Sequence, residues 1–263
     1  MTEQEYRDHP GVNKSTLWEI RKSPKHYKYL LEHPSEDTPA LRMGRAVHMA
    51  VLQPVEFAKS YVIAPGGLDR RTKDGKAAWA EFLEAAGDRE ILTEDEHDVI
   101  CDIAKSVTQD ARGLLCRSAR EMPLFWDDPR TGIGCKCRMD GKKLTKDKLI
   151  LFDLKTTEDA STDAFVRSAV KYGYHVQAAH YINGAVANKL NRGKPVEWWF
   201  IAVEKKPPYA VNLIKADQGF IDAGQSELSR LMDTLDRCRT FDEWPGYGEN
   251  VLTMPAWAMR EEE

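Results

Sequence analysis

Long apolar runs are missing from this sequence. No stretch approaches the ~20 apolar residues that a membrane-spanning helix needs, which argues against a membrane-embedded role. The opening segment "MTEQEYRDHPGVNKS" lacks the basic-then-apolar layout of a secretory signal, so the cytoplasm is the expected location. Cysteine is sparse and oddly spaced: Cys101, Cys116, Cys135, Cys137 and Cys238 contain no CxxC pair and no second ligand pair at finger-like spacing. That argues against structural zinc and for reduced, mostly buried thiols. Positive charge is not in excess either. The net charge is −4, so the chain cannot coat itself in nucleic acid by charge alone. No internal repeat or low-complexity linker interrupts it.

What is present fits one sizeable core. The chain has 263 residues, 42% apolar and 30% charged, within the range of ordinary globular proteins. The reading is a single domain: residues 1–120 mainly helical, 121–216 a mixed core, 217–263 a helix and a tail. A helix capped near Ser15 is expected, interrupted by Pro24 and followed by a second short helix. The proline-bounded "PALRMGRAVHMAVLQP" predicts a helix with Leu41, Gly44, His48 and Val51 on one stripe. Helical spacing recurs over 76–86, 93–119 and 173–190, and an amphipathic helix is expected over 217–239. Strands are expected at "IGCKCRMD", "KLILFDLKTT", "VEWWFIAVE" and "YAVNLIKA", and an irregular tail holds Trp244 and Trp257. Helices flanking a central mixed sheet make this an α/β fold. Two basic clusters, Arg70-Arg71-Thr72-Lys73 and Lys142, Lys143, Lys146, Lys148, suit a solvated face and also permit phosphate binding.

The chemistry concentrates in "ILFDLKTT". Side chains alternate along a strand, so Asp153 and Lys155 share a face with Leu151 while Phe152 and Leu154 point the other way. In "GCKCRMD" the residues Lys136, Arg138 and Asp140 share a face. If the two segments pair as a hairpin turning at Lys146-Asp147, Asp140 faces Asp153, with Cβ atoms ~5 Å apart. Two carboxylates that close repel unless a cation lies between them. A hard divalent ion such as Mg²⁺, with Lys155 beside it, answers that repulsion and suits phosphoryl chemistry. A buried Asp–Lys salt bridge that only shapes the strand is the other reading.

These residues resemble a known pattern. Asp140 followed by Asp153-Leu154-Lys155 is similar to the D…(D/E)-x-K core of PDDEXK nucleases, although no proline precedes the first acid and the second is Asp. The surrounding text, "GVNKSTL", "GRAVHMAVLQP", "RRTKDGK", "FWDDPRTGIGCKCRMD", "DLKTTEDAS", "YGYHVQAAHY" and "DEWPGYG…LTMPAWA", resembles in order the nuclease domain of the RecE-type exodeoxyribonuclease VIII family. A more distant likeness runs to lambda-type phage exonucleases.

The resemblance implies a restriction-endonuclease-like α/β core and a role for each matching position. His48, Asp140, Asp153 and the Leu154 carbonyl would bind metal, Lys155 would be the catalytic lysine, and Gln177 and Tyr181 match a Q-x-x-x-Y helix motif. Glu121 is an outer candidate near the site. Ser15, Arg70, Arg71, Lys73 and Arg138 are candidates for DNA contact, Ser15 for a terminal 5′ phosphate. The implied activity is 5′-to-3′ digestion of linear duplex DNA with two Mg²⁺ ions (Mn²⁺ substituting), releasing 5′-mononucleotides and leaving 3′ tails for recombination. Implied partners are duplex ends, copies of the same chain in a trimeric or tetrameric ring, and a RecT-like single-strand annealing protein in a bacterial or phage-infected cell. The alternatives are a single-strand or structure-specific nuclease of the RecB or Cas4 kind, and a non-catalytic DNA-end-binding protein.

Overall fold

The computed structural model describes residues 3–33 and 37–255; Trp257, placed above in the tail, lies outside them. The helices before the main sheet are α1 (Glu3–Asp8), α2 (Lys14–Leu17) running into a 3-10 turn (Trp18–Arg21), α3 (Pro24–Glu32), α4 (Pro39–Leu52) and α5 (Pro54–Ser60). A short strand β1 (Tyr61–Ile63) follows, then α6 (Lys73–Ala86), β2 (Glu90–Leu92), α7 (Glu94–Asp110) and α8 (Arg112–Leu115). The main sheet uses β3 (Ala119–Asp127), β4 (Gly134–Leu144) and β5 (Leu149–Thr157). After α9 (Thr162–Tyr172) and α10 (Tyr174–Ala187) come β6 (Val196–Glu204), β7 (Val211–Lys215) and α11 (Gln218–Phe241). The five strands lie in the order β3-β4-β5-β6-β7, antiparallel except for the parallel pair β5–β6, while β1 and β2 pair in parallel apart from them.

A parallel pair needs a crossover, and α9 with α10 supplies it. The central strand β5 is covered on both faces, which is why its first half, residues 149–152, is a continuous apolar run. Phe152 and Leu154 pack with Ala46, Val47 and Val51 of α4 and Ile100 and Ile103 of α7. Leu149 and Leu151 pack on the other face with Phe165 of α9 and Ala178 of α10. Each such side chain contributes roughly 1.5–3 kcal/mol by leaving water.

Local chemistry sets the helix starts. Thr38 and Ser23 cap α4 and α3 with proline at the first helical position, and Thr93 and Glu96 form a reciprocal capping box on α7. Helix α2 is capped near Ser15 as expected, by Asn13 two residues before it. The Asn13 Oδ1 accepts from the Thr16 N–H and the Ser15 hydroxyl, both at 2.8 Å. Gly173 joins α9 to α10 at φ 66°, and a Cβ there would lie 2.8 Å from the Trp18 indole. Only glycine meets both demands without strain.

Three expectations need correcting. The helical reading of 93–119 runs too far: α7 ends at Asp110, α8 is one turn, and Ala119 begins a strand. That strand, β3, escaped notice because Pro123 interrupts its pattern, which an edge strand tolerates. The stripe assigned to α4 is misphased. Leu41 is 55% exposed, and the buried positions are Ala46, Val47, Val51 and Leu52.

Candidate active site

The hairpin β4–β5 turns where expected. Thr145 closes the turn, its N–H donating to the Lys148 carbonyl at 2.8 Å, and Gly141 pairs with Phe152. There the ladder stops, so Asp140 and Asp153 stand one step beyond it and are not a ladder pair. The Asp140 carboxylate substitutes for the missing backbone partner: its Oδ2 accepts from the Leu154 N–H at 2.7 Å.

On the other side of β4 the ladder to β3 is also broken. Arg120 pairs with Gly141 and Met122 with Met139, skipping Glu121 and Asp140 between them. Glu121 has φ 51°, a left-handed conformation unusual for a non-glycine residue. The kink turns β3 over. The Arg120 guanidinium reaches the Val51 carbonyl of α4 at 3.0 Å, whereas Met122, two residues on, packs with the α10 face. Residues two apart on a regular strand would share a face.

The result is a carboxylate-rich gap. Ligand atoms of His48, Glu121 and Asp140 all lie within 4.8 Å of one another, with the His48 Nδ1 3.4 Å from the Asp140 Oδ2. Asp153 stands outside that triplet. Its Oδ1 accepts from the Gln177 Nε2 at 2.5 Å, and its Oδ2 lies 2.5 Å from the Lys155 ammonium. That buried oxygen is thus held by the Lys155 ion pair. Asp153 is 2% and Asp140 9% exposed. Burial, and then the charge of Asp153, push the Asp140 carboxyl above the usual range, against the pull of His48, Lys155 and the Leu154 N–H. Burial lowers the Lys155 ammonium, but Asp153 and Asp140 outweigh it and hold it above its ordinary value. Two anions and one cation are therefore confined together, a net negative site that favours a further cation.

The remaining sequence candidates divide. Gln177 and Tyr181 lie one turn apart on α10. Gln177 reaches Asp153, while Tyr181 packs edge-on against Trp198 at 5.6 Å, its phenol raised well above the ordinary value by burial. The Arg138 Nε pairs with Glu121 at 3.0 Å, and its guanidinium lies over the Tyr6 ring. Glu121 thus joins His48 and Asp140 directly instead of standing outside them. The signal for it was its place opposite Asp140 on a neighbouring strand, visible only once β3 is read as a strand. The Leu154 contact seen is made by its N–H. Ser15 is exposed, and Asn13 already occupies the Thr16 amide at that helix end. Arg71 pairs with Asp69 at 2.9 Å and Arg70 lies over the Trp79 ring, while Lys73 opens α6; no polar contact links these three to the acidic gap. Cys135, Cys137 and Cys238 are buried free thiols, and Cys101 and Cys116 are exposed ones.

No helix among the described residues is long and apolar enough to cross a membrane. Comparison with solved structures shows a fold shared with a "Putative exonuclease" from Eubacterium rectale. The TM-score is 0.64 and the identity 14%, over 97% of this chain and 95% of that one. A phage related exonuclease from Haemophilus somnus 129PT aligns at a TM-score of 0.36 and 13% identity, over 91% of this chain and 100% of that one. No protein of curated function matches the chain. Residues 14–254 match the family described as "PDDEXK-like domain of unknown function (DUF3799)", and the chain belongs to that family.

Proposed function

We propose that this chain is a divalent-metal-dependent exodeoxyribonuclease that digests one strand of linear duplex DNA from its 5′ end. The observation that carries the reading is the confinement of Asp140 and Asp153, both buried, with Lys155 at the broken end of the β4–β5 ladder. The donor set fits a hard cation: the carboxylate oxygens of Glu121 and Asp140 and one imidazole, with the buried Asp153 carboxylate nearby. His48, Asp140 and Glu121 would hold Mg²⁺, or Mn²⁺ in its place, with Asp153 and the Leu154 main chain beside it for the same or a second ion. When bound, such an ion polarises a phosphoryl oxygen and lowers the pKa of a water.

The chain's own residues prepare the site. Lys155, kept charged by its two aspartates, presents a fixed positive charge for phosphate oxygens. Gln177 fixes the rotamer of Asp153 through one oxygen and leaves the other facing the Lys155 ammonium. Tyr181, held neutral by burial, keeps its phenolic O–H as a hydrogen-bond donor on the same helix. None of these groups reads a base, which suits an enzyme acting on backbone regardless of sequence.

Release of 5′-mononucleotides, a 3′ tail, a trimeric or tetrameric ring around the duplex, and a RecT-like annealing partner belong to this proposal through the sequence resemblance. The exonuclease description of the Eubacterium rectale protein supports the same class. The test is digestion of linear duplexes labelled at the 5′ or 3′ end, with and without Mg²⁺, beside a covalently closed circle. Release from 5′ ends of linear DNA alone is expected; cleavage of the circle, or release beginning at 3′ ends, overturns it.

A further inference from the structure

Lys14 opens the short helix α2, and its ammonium crosses to the far end of α9 to donate to the Tyr172 carbonyl. It also lies over the Trp18 ring, 5.1 Å from the centroid. Trp18 is in turn fixed against Gly173, where no side chain could fit, and edge-on against His175 of α10. So the lysine is held by a carbonyl and a ring face, both of which stabilise a cation without neutralising it. Among the described residues no carboxylate lies within ion-pair distance of it; the neighbouring Glu19 is taken by Lys22 at 2.7 Å.

Its surroundings belong to the site. The charges that act most on Lys14 are those of Lys155 and then Asp153. Tyr172, its carbonyl partner, lines a cleft of about 230 Å³ together with Lys155, Tyr174, Ser168, Glu158 and Lys205. Within that cleft Glu158 is paired with Lys205 at 2.7 Å, and Lys155 sits 4.8 Å from the Tyr174 ring. Lys155 thus lines the cleft while paired with Asp153, and Lys14 is anchored to the cleft residue Tyr172 with no anion of its own.

We infer that Lys14 binds a backbone phosphate of the DNA strand next to the phosphate held at Lys155, completing its missing ion pair with substrate. This rests on the phosphodiester-hydrolase reading above and adds a substrate contact to it. Lys14 would not touch the reacting atoms; it sets the strand's register so that the adjacent bond reaches Asp140 and Asp153. Burial, reinforced by Lys155 and opposed by Asp153 and Glu19, pulls the free ammonium down to about 7, and an arriving phosphate would restore its charge.

The experiment is binding of a short fluorescent duplex by anisotropy, with Ca²⁺ replacing Mg²⁺, across a series of salt concentrations. For Lys14→Met the expected affinity loss is about tenfold, the size of one charge-assisted contact. The slope of log K against log salt should also shrink by about 0.7–0.9, one phosphate contact. Lys14→Arg should recover most of both, which a purely structural lysine would not require. If Lys14→Met does not fold, acetylation of the wild-type protein by acetic anhydride, mapped by mass spectrometry, gives the second readout. DNA should then protect Lys14 but not Lys59, an exposed lysine on α5. Wild-type binding with an unchanged slope in Lys14→Met, or equal acetylation of Lys14 with and without DNA, overturns the inference. A wild-type protein that binds no DNA overturns the nuclease reading itself, and this inference with it.

Discussion

Glu121 and Asp140 face each other on adjacent strands at the place where the β3–β4 ladder skips a pair. The left-handed backbone of Glu121 is the local cause: a residue at φ 51° cannot keep both of its strand hydrogen bonds. Such a conformation costs about 1–3 kcal/mol and persists where the surroundings, or a function, impose it. Here it sets the Glu121 carboxylate beside Asp140 and His48.

Replacing Glu121 by Gln removes the charge while keeping the shape. Mn²⁺ affinity measured by calorimetry should fall about 10- to 100-fold, comparable to the loss of a residue supporting a metal ligand. Thermal stability without metal should change little, since the amide can still accept from the Arg138 guanidinium. Unchanged Mn²⁺ affinity would remove Glu121 from the ion's surroundings.

Asp140 and Lys155 should move stability in opposite directions. The raised Asp140 pKa means that its ionised form is disfavoured in the folded state. That cost is absent below the ordinary carboxylate range, appears as pH rises through it, and is complete above the raised value. Asp140→Asn removes the cost and keeps an oxygen for the Leu154 N–H. Without divalent ions its melting temperature should rise by about 2–4 °C, the equivalent of about 1 kcal/mol for a chain this size. Excess Mg²⁺ should stabilise the wild type by about 2.7 kcal/mol at a hundredfold excess over Kd, raising its melting temperature, and leave Asp140→Asn where it was.

Lys155 carries the reverse sign. Its folded pKa lies above its ordinary value, so its stabilising contribution is full at neutral pH and is lost only as pH rises through that higher folded value. Lys155→Met strands Asp153 with a buried, unbalanced charge and should cost about 3–5 kcal/mol in urea unfolding at neutral pH. Its cleavage rate should drop about 10²- to 10³-fold, as for other fixed groups that stabilise developing charge. Unchanged cleavage with lowered stability would reduce Lys155 to a structural partner of Asp153.

What the sequence disclosed follows from where short-range physics suffices. Strands β5 and β6 announce themselves because both faces are covered and each carries a continuous apolar run, residues 149–152 and 198–203. The hairpin register was readable because a tight turn between two strands fixes which residues are opposed. The arrangement just past the ladder was not readable, because Asp140 spends its carboxylate on the Leu154 N–H and the strands part there. Glu121 was placed outside the site because nothing in "AREMPLFWD" signals a left-handed residue, and Pro123 masks the strand. His48 is singled out by a motif alone, since of the stripe the spacing suggests α4 buries Val51, together with Ala46, Val47 and Leu52. Lys14 lay within a recognised motif, but its reach to Tyr172 depends on a contact between residues 158 apart in sequence.

The junction at Gly173 links the fold to the site. Its left-handed backbone starts α10 four residues before Gln177, and the Trp18 indole fills the space where a side chain would be. Gly173→Ala meets both obstacles at once, an unfavourable φ and a Cβ 2.8 Å from the ring, and should destabilise the protein by about 1–3 kcal/mol. Gly173→Asn tolerates the backbone better yet keeps the collision, so it should be nearly as damaging. Adding Trp18→Ala to Gly173→Ala removes the collision, and the double variant should lose less stability than the two single losses added together. Strict additivity in urea unfolding would show that the indole does not constrain the junction that sets Gln177 against Asp153.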